Sequence, residues 1–161
     1  MGRARLNSRL HHHDQGFTLV EALVAMVIFT IGFSGLYFFY GISQQVIADS
    51  EKRMYINLMG DRIVESIAAE GMRAATDPLN PFLTPSQYAG SLANCNYNTG
   101  DVRQSWCLDL SSNIGALNPL SGNEIRQIDV VNDGTGIIIN VSLVTGNGSI
   151  SAYFTRKLRQ L

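Results

Sequence analysis

From Phe17 to Tyr40 the chain runs 24 residues with a single formal charge, Glu21. The stretch is apolar on every side, so no half-buried face can be drawn on it. Wound as a helix with about 1.5 Å rise per residue, it spans roughly 36 Å, more than the ~30 Å hydrocarbon core of a bilayer. From Gly41 to Ala75 the pattern changes. There is no proline, and Ile42, Val46, Ile47, Met54, Leu58, Ile63, Ile67 and Met72 recur mostly at separations of four, five or seven. Gln44, Asp49, Lys52, Asp61, Arg62, Glu65 and Glu70 occupy the remainder. This predicts one helix over about Thr18–Ala74, apolar all round in its first half and amphipathic in its second, where it packs on a globular head. Gly32, Gly35, Gly41 and Gly60 each weaken it by up to about 1 kcal/mol, and Gly32 and Gly35 permit close helix–helix approach.

Asp77-Pro78 ends the helix, because proline lacks a donor and restricts the residue before it. The composition then shifts to Pro, Asn, Ser and Gly until about Asn123, with Pro78, Pro81, Pro85 and Pro119. This predicts a long irregular connection packed down by Phe82, Tyr88 and Trp106. The rest of the chain predicts strands at Ile125–Val131, Ile137–Thr145 and Ile150–Leu158. Ile137, Ile139, Val141 and Leu143 share one face of the middle strand; Ile150, Ala152, Phe154 and Leu158 share one face of the last. Asp133-Gly134-Thr135-Gly136 and Gly146-Asn147-Gly148-Ser149 supply the hairpin turns. The fold class is α+β: a long amino-terminal helix packed against a small antiparallel sheet.

Charge changes the picture at the two ends. Arg3, Arg5 and Arg9 against Asp14 precede the apolar run, and the positive-inside rule keeps them cytoplasmic while the remainder goes outward. A secretory signal would have a shorter apolar core, of about 7–15 residues, and a small-x-small cleavage site. An ionised carboxylate inside a membrane span costs about 2.5–3.5 kcal/mol by insertion scales, so Glu21 needs a partner. If the chain is cut after Gly16, an α-amine appears on Phe17, four residues before Glu21.

A short basic leader ending in Gly, then Phe-Thr-Leu-Val-Glu and a long apolar helix, resembles the amino-terminal signal of type IV prepilins and pseudopilins. The resemblance implies that a membrane-embedded prepilin peptidase cleaves after Gly16 and N-methylates Phe17, and that Glu21 is the family's assembly glutamate. It also implies a pilin-like fold. Ile31 to Leu36 (I-G-F-S-G-L) and the later M-Y-I-N-L-M-G-D-R-I-V-E-S-I are similar to the PilV-type minor pilins, over about 50 residues of the mature chain. On this reading residues 1–16 are the leader, 17–40 the transmembrane and filament-core helix, 41–75 the amphipathic half, and 76–161 the head.

Loss of the leader removes His11, His12 and His13, the only histidines, and leaves nine basic against twelve acidic residues. A Ser-His-Asp or Cys-His arrangement and the usual His-containing zinc site then have no histidine to draw on. No enzyme activity, metal or cofactor is expected. Cys95 and Cys107 are the only cysteines. Outside the membrane a pair most simply forms one disulfide, worth roughly 3 kcal/mol for a loop of this length in the chain-entropy model; two free thiols are the alternative.

The expected role is a minor pilin that promotes pilus assembly, held in the inner membrane with a periplasmic head before it reaches the pilus surface. Its expected partners are the prepilin peptidase and other minor and major pilins. Neither the absence of a membrane-half proline nor the placing of the cysteines before the sheet fits the major-pilin pattern. A secretion-system pseudopilin is the nearest alternative. A tip adhesin or DNA-uptake module is another; its cationic strip would be Arg156, Lys157 and Arg159, which also read as solubilising charges on a strand edge. The leader assignment makes a direct prediction. Gly16→Leu should yield only an unprocessed, membrane-retained precursor on immunoblots, and normal processing of that variant would refute the cleavage site.

Overall fold

A computed structural model describes residues 18–118 and 120–159. The chain divides into two compact units, Met1–Gln44 and Gln45–Leu161. Both draw on α1, Leu19–Glu70, a helix of 52 residues. It stops short of the expected Ala74 because Gly71 is a poor helix former and the chain tightens there. Gly71 N–H still reaches the Ile67 carbonyl, but the Met72 and Arg73 amides turn back only three residues, to Ala69 and Glu70. Asn80, buried to 2 % exposure, donates its side-chain amide to the Arg73 and Ala74 carbonyls.

The second unit is built on the far half of α1. Ile56, Met59, Gly60, Ile63, Val64, Ile67 and Ala68 are its buried positions, a stripe at spacings of three and four. Two of the predicted stripe residues, Ile63 and Ile67, belong to it. Met54, Leu58 and Met72 do not; they are exposed, as are Ile42, Val46 and Ile47. The expected spacings of four, five and seven joined residues from two faces. Met54 and Leu58 lie roughly opposite the buried stripe at 100° per residue, and Met72 lies past the helix end.

Four antiparallel strands in the order β1-β2-β3-β4 form the sheet: β1 Gly90–Ser91, β2 Ile125–Asn132, β3 Ile137–Thr145 and β4 Ile150–Leu158. The last three are the expected meander, with Ile137 opposite Leu158 and Thr145 opposite Ile150 across β3–β4. The additional strand, β1, is two residues long and pairs with Ile128 and Gln127 of β2. Ile137, Ile139, Val141 and Leu143 are all buried on the face of β3 toward the core; Ile150 and Ala152 are buried beside them, with Phe154 and Leu158 packed at the margin. In the β2–β3 turn the Asp133 amide donates to the Gly136 carbonyl, and Gly134 takes a positive φ of 82°.

The segment expected to be irregular holds a helix, α2, Val102–Ile114. The side chain of Asp101 accepts from the Arg103 amide and caps its start. Gly115, at φ 89°, ends it. Trp106, Cys107, Leu110 and Ile114 are buried and join α1, the sheet, Tyr88 and Leu92 in one core. Cys95 and Cys107 are joined by a disulfide with Cα atoms 5.2 Å apart, which ties the preceding loop to α2. Arg126, 2 % exposed on β2, donates from Nη2 to the Gly115 carbonyl at 2.8 Å and so binds the end of α2 to the sheet; burial lowers the pKa of its guanidinium.

Helix and sheet meet most closely at Gly60. A Cβ there would overlap the ring of Phe154 on β4. Any side chain at this position must displace the Phe154 ring from its place against α1. Gly60→Ala should therefore cost about 1–3 kcal/mol, the usual range for overpacking, despite alanine's better helix propensity. In chemical denaturation of the detergent-solubilised chain, Gly60→Ala/Phe154→Ala should be less destabilised than the two single changes added together. A strictly additive cycle would show that the contact does not limit the packing.

Candidate functional site

The candidate site is the apolar half of α1, and it starts at Thr18. The Thr18 hydroxyl accepts from the Glu21 amide at 3.3 Å, and the Thr18 carbonyl accepts from Ala22 at 3.1 Å. Thr18 thus stands as the helix N-cap and Glu21 as the third helical residue, the T-x-x-E order of a capping box. Threonine's part in this was missed in the sequence reading, although the spacing was there to be read. Glu21 lies in the first turn, where its charge is favoured by the positive end of the helix dipole. Its side chain is exposed and has no acidic or basic partner among the described residues. Gly16 and Phe17, the expected cleavage site and new amino terminus, lie outside the described residues.

On both sides of Glu21 the helix presents apolar side chains in all directions. Leu19, Val20, Leu23, Met26, Phe29, Ile31, Phe33, Leu36 and Phe38 are all exposed. An 18-residue window of α1 reaches a mean hydropathy of 2.1, with none of it buried in the chain itself. By length and composition this helix is long and apolar enough to cross a membrane. In the first half of α1 the serine and threonine hydroxyls beyond the first turn are satisfied within the helix: Thr30 bonds to the Met26 carbonyl, Ser34 to Thr30 at 2.7 Å and Ser43 to Phe39 at 2.9 Å. Such back-bonding lets a hydroxyl reside in an apolar medium without an orphan donor. A Cβ at Gly32, Gly35 or Gly41 would meet nothing within 4 Å. Nothing among the described residues requires these glycines to be small.

The expected cationic cluster is taken apart by strand alternation. Arg156 pairs with Glu65 of α1, whereas Lys157, on the other face of β4, pairs with Asp133 in the β2–β3 turn. Arg159 stands apart, with no acidic partner among the described residues. The three do not form a continuous positive strip. Among the described residues, no group of three or more His, Cys, Asp or Glu side chains is placed to hold a metal ion.

Residues 11–37 match the prokaryotic N-terminal methylation motif. The match spans the expected leader boundary, Glu21 and most of the apolar run, and it supports a type IV pilin or pseudopilin role, with processing by a prepilin peptidase and assembly alongside other pilins. No curated protein and no solved structure matches the chain.

The Asp133–Lys157 pair carries a pH signature. The Lys157 ammonium, helped by the Thr135 amide, lowers the Asp133 carboxyl to about 2. A depressed carboxyl pKa contributes stability that is present above the unfolded value, about 4, and is lost as pH falls through the folded one. Asp133→Asn should therefore be less stable than the parent at neutral pH, with the gap closing between about pH 4 and about pH 2. Thermal melts across that range check this; a gap undiminished at the acid end contradicts it.

Proposed function

We propose that the chain is a minor pilin, most similar to the PilV type, which enters a type IV pilus or its tip complex after cleavage following Gly16 and N-methylation of Phe17. The observation that carries this reading is the single carboxylate, Glu21, in the first turn of a fully exposed apolar helix, within the residues matched by the methylation motif. Residues 1–16 act as leader and 17–40 as membrane anchor and later filament-core helix. Residues 41–75 form the spine of the head, and 76–161 complete it.

Before assembly, lipid covers the apolar half of α1 and holds the subunit in the inner membrane with its head outside. On extraction into a filament, the helices of neighbouring subunits replace the lipid. The open surfaces at Gly32 and Gly35 suit such contacts, since small residues let helix backbones approach closely. A lone carboxylate in that dry core is costly, and the methylated amine of Phe17, from the same subunit or its neighbour, offsets the cost. Glu21 then sets how far a subunit advances before it locks. The N-cap at Thr18 supports this by fixing where the first turn begins, and so where the carboxylate stands relative to the amine.

Breaking a buried ion pair from one side costs about 3–5 kcal/mol. Glu21→Ala should leave leader cleavage intact and lower recovery of the subunit in sheared pili by at least about tenfold. Equal recovery of variant and parent would remove Glu21 from the assembly step.

A further inference from the structure

A cavity of about 400 Å³ opens where the end of α1 meets the end of β4. Its apolar surface comes from Gly71, Met72, Phe82 and Leu158. Asn80 lies against it but is already satisfied, donating to Arg73 and Ala74 and accepting from the Phe82 amide at 2.9 Å. Hydrogen bonding in the cavity must therefore come from its arginines. Arg73 is engaged by Glu70 and Asp77, and Arg156 by Glu65 through Nη1. Arg159 has no acidic partner among the described residues, so the lining carries one unmatched positive charge.

Two further features define the occupant. β4 is the last strand of the sheet and pairs only with β3 among the described residues, so its outer edge offers backbone donors and acceptors to an extended chain. Met72, 89 % exposed, gives the cavity one adaptable thioether wall. We propose that this cavity and the β4 edge form a docking site for an extended segment of another protein. That segment adds to β4 as a strand, places an apolar side chain against Phe82 and Leu158, and pairs a carboxylate two residues along, on the same face, with Arg159 and the unengaged nitrogens of Arg156. Strand addition with one side-chain pocket is an established mode of peptide recognition. The single excess charge matches one carboxylate, and a bare phosphate would leave the apolar wall without contacts.

The test uses the full chain, ¹⁵N-labelled in detergent micelles. It is titrated with a blocked hexapeptide of threonine and valine that carries a central Phe-Thr-Glu, and with its glutamine analogue. Amide shifts at Gly71, Phe82, Leu158 and Arg159 and along β4 are expected with the glutamate peptide. Affinity should fall at least about tenfold with the glutamine peptide and with Arg159→Gln, the usual scale for losing a charge-assisted hydrogen bond. Phe82→Ala, checked for an unchanged spectrum elsewhere, should also weaken binding. An absence of shifts at these residues up to millimolar peptide overturns the proposal, as does equal affinity for the two peptides and for Arg159→Gln.

Discussion

On the proposed function, everything in this chain depends on a helix that is stable in two media. A helix satisfies its own backbone hydrogen bonds, which is why a single helix, unlike a single strand, can leave one apolar surrounding for another without exposing unpaired amides. The first half of α1 extends that self-sufficiency to its side chains. Thr30, Ser34 and Ser43 bond back to carbonyls four residues earlier, and Thr18 caps the start. The one formal charge of this half, Glu21, has no charged partner among the described residues. The carboxylate distinguishes a surrounding that offers a positive partner from one that offers only hydrocarbon.

In the second unit the same helix has the opposite task, to present one narrow face to a head. Ile56, Met59, Ile63 and Ile67 are buried there, and Gly60 lets the Phe154 ring come against the helix backbone. Around this seam the head is held by local devices more than by sheer size. Asp101 starts α2, Arg126 holds its end, and the Cys95–Cys107 disulfide fastens the loop between the first strand and that helix. Such devices suit a small head, and the disulfide suits the outward placing proposed for it, where disulfides persist.

The sequence was most legible where periodicity was strong and local. The meander was read to within a residue at each boundary, because Ile and Val alternate cleanly between Gly-rich turns. The apolar half of α1 was equally plain. The buried face of its second half was not, since Met54 and Leu58 are as apolar as Ile56 and Met59, and only the sheet decides which pair it covers. α2 was lost behind Asn, Ser and Gly, though Val102, Trp106, Leu110 and Ile114 recur every fourth residue between a capping Asp101 and Gly115. β1 leaves no two-residue signal that any pattern could detect; it exists because β2 offers an edge. Of the candidate site, Glu21 was visible as a misplaced charge. Thr18 was overlooked because its role is a backbone one. The separation of Arg156 from Lys157 follows from strand alternation, which a reading of net charge ignores.

The central claim is that one processed amino-terminal helix serves first as a membrane anchor and then as a filament strut. Intact-mass measurement of the chain recovered separately from membranes and from sheared filaments tests it most directly. The account predicts the same species in both fractions: a chain beginning at Phe17 and heavier by one methyl group. A full-length chain in the filaments, a different amino terminus, or absence from the filament fraction would contradict it.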